Sequence, residues 1–115
     1  MFRLLILFAL AALSFTPQDE DLERHVVRRH KNGTEYVVVY TKGPNYERVR
    51  EELYYDNGQL DYVGNYQRGV EHGEWIYYWR NGNMKSIEYY EKGRENGIMW
   101  DFDDTGKKIR EYKYM

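Results

Sequence analysis

Residues 62–82 read YVGNYQRGVEHGEWIYYWRNG, and the spacing within and around this stretch decides the fold. Asn81-Gly82 follows Asn57-Gly58 by 24 residues, and Thr105-Gly106 follows by a further 24. Gly69 and Gly73 return at the same step as Gly93 and Gly97, and Tyr66 returns as Tyr90 and then Tyr114. A fixed period of this size marks a chain of stacked supersecondary units. No such unit covers its own apolar surface, so each relies on its neighbour.

The runs between the glycines are rich in Tyr, Trp, Val and Ile, the residues that suit a pleated, half-buried surface. Strands are expected over residues 36–40, 47–55, 59–67, 73–79, 83–90, 98–102 and 107–114. Residues 25–30 read as a further strand, with a helix as competitor there. Asn-Gly at residues 32–33, 57–58 and 81–82 predicts two-residue type I′ turns, because both residues tolerate positive φ. Residues 68–72 and 92–96 read as wider loops. Tight turns force antiparallel neighbours. The expected fold is therefore all-β: an elongated single-layer antiparallel meander of stacked β-hairpins with period 24, over residues 32–115. Residues 15–31 form a lead-in, acidic at its start, that is a short helix, disordered, or the first strand. Glycine recurs too often for helices of ordinary length elsewhere.

The first residues are unlike the rest. Arg3 precedes a continuous apolar run from Leu4 to Leu13, then Ala12 and Ser14 stand at small positions before a polar segment. That order is the order of a signal peptide, cut after Ser14. The apolar run falls below the roughly 20 residues that a spanning helix needs. Residues 1–14 are thus expected to direct export, to a periplasm or the exterior.

The chain has 115 residues and no cysteine, which rules out disulfides and Cys-based metal sites. Its 17 basic and 19 acidic residues are interspersed, without the basic block expected of a nucleic-acid partner. With 13 Tyr, 4 Phe and 3 Trp, the core must be built largely from rings. Rings bury much area while keeping a polar tip for water, which suits a thin sheet.

The motif Tyr62-x-Gly64-x-Tyr66-x-x-Gly69-x-x-x-Gly73 resembles the MORN repeat. It departs at Tyr66, where that repeat has Trp, and at Trp75, where it has its last Gly. These departures, with Asn81-Gly82, are similar to the bacterial variant, whose members are often labelled antitoxins of toxin–antitoxin systems. The resemblance covers residues 51–114 well and 32–43 weakly, where Tyr36-x-Val38-x-Tyr40-x-x-Gly43 lacks the middle Gly. In the next unit Ser86 and Glu88 stand where Tyr62 and Gly64 stood. The resemblance implies a sheet of stacked hairpins acting as an adaptor, a dimerisation surface or a lipid-proximal module, with no enzymatic activity of its own.

Positions that recur do the stacking common to every unit. Tyr54, Tyr78 and Phe102 form one such series, Tyr66, Tyr90 and Tyr114 a second, and Leu60 with Met84 a third. The aromatics that do not recur are the candidates for a site. Trp75, Tyr77 and Trp79 share one face of their strand and form the candidate partner-binding face. The alternative is that this face curls over and packs on itself.

No catalytic constellation is expected. His25, His30 and His72 are scattered, and Ser14 and Ser86, the only serines, lack a base in a recognisable motif. Asp101-x-Asp103-x-Thr105-Gly106 opens like a calcium loop, but Tyr112 occupies the place of the required twelfth-position Glu. No cofactor or metal is expected. The reading is an exported, non-enzymatic interaction or scaffold module with an unidentified protein partner. A toxin is one candidate partner, in an antitoxin or immunity role. A membrane surface is another, disfavoured by the net negative charge. Carbohydrate contact through Trp75 and Trp79 stays open. The final strand carries Lys107, Lys108, Arg110, Glu111 and Lys113, charges that discourage edge pairing there. Edge-to-edge self-association is open at the other end.

Overall fold

The computed structural model describes residues 21–114. The expected signal peptide over residues 1–14 and the first part of the lead-in lie outside these residues. The described chain is all-β, with ten strands and no helix. They are β1 (Leu22–Arg29), β2 (Glu35–Lys42), β3 (Glu47–Tyr54), β4 (Leu60–Gln67), β5 (Val70–Glu71), β6 (Gly73–Tyr78), β7 (Met84–Glu91), β8 (Arg94–Glu95), β9 (Gly97–Phe102) and β10 (Lys108–Tyr114). All pairings are antiparallel, in one open sheet of order β1-β2-β3-β4-β6-β7-β9-β10. The short β5 and β8 pair with β4 and β7.

Two expectations need correction. Residues 22–24 are strand rather than helix or coil, since β1 runs from Leu22 and pairs Val26 with Val38 across from it. The apolar stripe that Val26 extends decides against the helix. The second correction concerns the turns. At Tyr55–Gln59, Gly58 N–H bonds to Tyr55 C=O and Tyr55 N–H bonds to Gln59 C=O. Only Gly58 has positive φ, at 86°, so Asn57 stays right-handed. This is a three-residue type I turn closed by a left-handed glycine, not a type I′ turn. Type I′ geometry sits instead in the expected wide loops, where Arg68-Gly69 and Lys92-Gly93 both have positive φ. Tight pairing Gln67↔Val70 and Glu91↔Arg94 then follows.

Side chains alternate between faces along each strand. One row crosses the sheet as Val37, Leu53, Tyr62, Tyr77, Ser86 and Asp101. The next row, on the opposite face, runs Val38, Glu52, Val63, Ile76, Ile87 and Trp100. Val38 is fully buried in the second row. A side chain of that size, fully buried, contributes about 1.5–3 kcal/mol. Met99 is buried within β9.

Successive turns are bolted together by side chains. Asn32, Asn57 and Asn81 each donate from Nδ2 to a carbonyl of the following turn: Asp56, Arg80 and Asp104. Their Oδ1 atoms accept the N–H of Thr34, Gln59 and Asn83, which closes each turn. A parallel line of rings does the same two positions further in. His30 Nε2 lies 2.7 Å from Tyr54 C=O, Tyr55 Oη donates to Tyr78 C=O, and Trp79 Nε1 donates to Phe102 C=O. Carbonyls at the ends of neighbouring strands are thereby satisfied, as a thin sheet requires.

Candidate functional site

The candidate residues sit where β4, β6 and β7 meet. A bulge places them there. Gly73, with φ 74°, breaks the alignment of β5 and β6, and β4 re-pairs with β6 at Val63↔Ile76 and Tyr62↔Tyr77. Asn65 fixes the bulge from both ends: its Nδ2 donates to Glu74 C=O at 2.8 Å, and its C=O accepts the Trp75 indole N–H at 3.0 Å. The indole is thereby laid across Gly64, whose missing Cβ makes the room. Bulges commonly re-aim a side chain in this way.

Around Trp75 the rings form a cluster. Tyr62 stacks on it at 5.7 Å, Tyr66 meets it edge-on at 5.3 Å, and Tyr90 lies at 5.7 Å. Trp75 retains 7 % exposure, with its N–H already used. Tyr77 sits beside Tyr62 at 5.4 Å and is only part-buried. Burial, followed by the nearby Glu88, Asp61 and Glu71 carboxylates, pushes its phenol up to about 12. Trp79 lies beyond the end of β6. Its N–H is held by Phe102 C=O at 3.2 Å and Lys85 Nζ stands 4.7 Å over its ring. Trp75 and Tyr77 are therefore brought together, while Trp79 belongs to the line of rings that ties the turns. Trp79 also borders a concavity of about 210 Å³ with Lys85, Ser86, Asp101, Phe102 and Ile109.

Beyond Tyr77 the surface changes character. Across β7 and β9 the face carries Ser86, Glu88 and Asp101. Ser86 faces Tyr77 and Glu88 faces Trp75. Glu88 accepts one hydrogen bond, from Tyr90 Oη at 3.1 Å, and burial raises its pKa. Asp101 accepts from Tyr112 Oη at 2.9 Å, with Arg110 Nε at 3.7 Å. On the other side of the cluster a cation is already seated. Arg48 lies 4.1 Å over the Tyr66 ring and bonds to Glu51 at 3.3 Å, and Glu51 also accepts from Tyr62 Oη.

A polar network on the opposite face escaped sequence reasoning. Glu52, 5 % exposed, accepts from Tyr40 Oη at 3.1 Å, Tyr54 Oη at 2.8 Å and Arg50 at 2.7 Å. Arg24 extends it, donating to Tyr40 and gripping Glu35 through both terminal nitrogens. Burial and the Glu52 carboxylate raise the Tyr54 phenol to about 12. The Arg50-x-Glu52-x-Tyr54 alternation is the signal that could have revealed it. The Glu52 carboxylate is filled by these partners, and Arg50 Nε is the one buried side-chain atom of the network without a partner among the described residues.

The histidines do not meet: His25 pairs with Thr41 at 2.9 Å, His30 with Tyr54 C=O. Among the described residues no group of three metal-ligating side chains converges. The Asp103 carboxylate is consumed by its own turn, accepting from Thr105 N–H, Thr105 Oγ1 and Lys107 N–H. These bonds, the Thr105 hydroxyl first, hold it below the ordinary carboxylate range. No family model, curated protein or solved structure matches this chain.

Proposed function

We propose that the chain is an exported, non-enzymatic repeat protein of the MORN type whose sheet serves as a protein-binding surface. One observation carries the reading. Tyr77 stands part-buried at the rim of a rigid aromatic cluster, with a small Ser86 as its neighbour in register, so a ring at the sheet's centre is left for a partner to cover. Part-covered rings on a pre-organised scaffold are the usual anchors of protein interfaces. The repeat reading is supported by the equivalent bonds from Asn32, Asn57 and Asn81, each to the turn that follows. Residues 1–14 supply the export signal.

A protein partner is favoured over a membrane by sign. Glu88 lies diagonally beside Tyr77 and Asp101 one strand further along the same face, and carboxylates repel the anionic lipids that recruit peripheral proteins. The test is affinity capture from the native envelope fraction with wild type and Tyr77→Leu as baits. A stoichiometric protein captured by wild type and lost with Tyr77→Leu, at unchanged circular dichroism, supports the reading. Failure of the wild type to capture any stoichiometric protein overturns it.

A further inference from the structure

We infer that the face formed by Tyr77, Ser86, Glu88 and Asp101 receives an arginine or lysine side chain from a basic segment of the protein partner. This inference rests on the protein-binding reading and names the chemistry of the partner. The chemistry of this face changes along the sheet. On the β4–β6 side the face carries Tyr62, Gly64, Trp75 and Tyr77, which pack on one another. One strand pair further on, the face carries Ser86, Glu88, Tyr90, Met99 and Asp101. Past the Tyr90 ring, which still packs on Trp75, the face across β7 and β9 presents a small side chain and two carboxylates. A stacking role does not require that change, because the stacking bonds run through the turns.

The chain itself shows what such a surface accepts. On the same face, Arg48 lies 4.1 Å over the Tyr66 ring with its guanidinium bonded to Glu51. Ring and carboxylate together make one seat for a cation. Tyr77 with Glu88 and Asp101 repeats those chemical parts. Among the described residues no ion pair reaches Glu88, while Asp101 accepts from Tyr112 Oη and has one long contact, at 3.7 Å, to an Arg110 that is 63 % exposed. An ionised carboxylate offers about four acceptor positions, and Glu88 uses one. Ser86, in register with Tyr77, leaves the ring edge open where Tyr62 closes the other side. The occupant that matches in charge and shape is a guanidinium or ammonium entering over Ser86.

The experiment is fluorescence anisotropy of a fluorescein-labelled octa-arginine peptide at low salt, with octa-glutamate as the control of sign. Asp104→Asn removes the same charge from an exposed turn where the backbone carbonyl, which the substitution leaves in place, accepts from Asn81 and Asn83. Wild type and Asp104→Asn are expected to bind octa-arginine alike and octa-glutamate not at all. Glu88→Gln, and separately Ser86→Tyr, are expected to weaken octa-arginine binding about tenfold, the loss of roughly one charged contact. Equal weakening by Glu88→Gln and Asp104→Asn overturns the inference, since binding would then follow net charge alone. So does a wild type that binds no octa-arginine. A native partner captured equally by wild type and Glu88→Gln also overturns it while leaving the protein-binding reading intact.

Discussion

The indole of Trp75 lies directly against the Cα of Gly64, across the β4–β6 boundary. A methyl group built on Gly64 would meet Cε2 of the ring at 2.6 Å. Gly64 has no positive φ, so its requirement is room and not backbone freedom. Gly64→Ala must therefore push the indole off its cluster with Tyr62, Tyr66 and Tyr90. Overpacking of this kind costs about 1–3 kcal/mol. A lowered melting temperature is expected, and Trp75→Met should restore part of it in the double variant. Thermal melts of the four-member cycle check this; additive losses would show that the two sites do not share the strain.

Trp79→Phe tests the line of rings that ties the turns. The substitution keeps most of the ring and deletes the N–H that satisfies Phe102 C=O. About 0.5–1.5 kcal/mol of stability should be lost. Asn81→Ala should cost more, because it removes both the bond to Asp104 C=O and the one that closes its own turn. Urea midpoints measured at constant slope would rank the two, and an unchanged midpoint for Asn81→Ala would remove the turn ladder as a source of stability.

Much of this was legible in the chain. Glycine and asparagine punctuation located the hairpins, and alternation placed Trp75 with Tyr77 on one face. Turn type was not legible, because Asn57-Gly58 and Arg68-Gly69 differ only in how many flanking residues the pairing consumes. Hydrogen bonding across the sheet settles that. The first hairpin read weakly since Tyr36-x-Val38-x-Tyr40-x-x-Gly43 lacks the middle Gly of the motif, yet Asn32 still bonds to the next turn. Asn32 also precedes Asn57 by 25 residues instead of 24, a slip that does not disturb contacts between turns. The Glu52 network was missed for a different reason. The Arg50-x-Glu52-x-Tyr54 alternation puts three partners on one face, but the exposed-looking ERVREELY strand does not reveal that Tyr40 of the neighbouring strand will also close over the carboxylate.

Glu88 makes a prediction about pH. Its carboxyl is raised above the ordinary 4.5, first by burial, with Glu95 and Asp101 adding to it and the Tyr90 bond opposing. The folded state thus holds this proton more tightly than the unfolded chain. Between the unfolded and folded pKa the native form binds more protons, so stability falls as pH rises through that window. Glu88→Gln is expected to melt above wild type at pH 7, with the gap closing on approach to pH 4. Asp56 and Asp103 act in the other direction. Arg80 lowers the first and the Thr105 hydroxyl the second, so their contributions are present above the ordinary 3.8 and lost as pH falls below it. Melting curves across pH for wild type and Glu88→Gln separate the two limbs, and a constant gap between the proteins would rule out the burial effect at Glu88.

Glu52 lies in a row otherwise made of Val38, Val63, Ile76, Ile87 and Trp100. The carboxylate is compatible with that row only because Tyr40, Tyr54 and Arg50 surround it. Glu52→Leu on its own leaves the Arg50 guanidinium without its anion, and Arg50 Nε already has no partner among the described residues. Breaking a buried pair from one side costs about 3–5 kcal/mol, less here because Arg50 is part-exposed. Replacing both members by apolar residues removes the stranded charge. Glu52→Leu combined with Arg50→Met should therefore be more stable than Glu52→Leu alone, although it carries one more substitution. Chemical denaturation of the two variants decides it. A double variant less stable than the single would mean that Arg50 holds the sheet through its contact over the Tyr40 ring, 5.2 Å away, and not through Glu52.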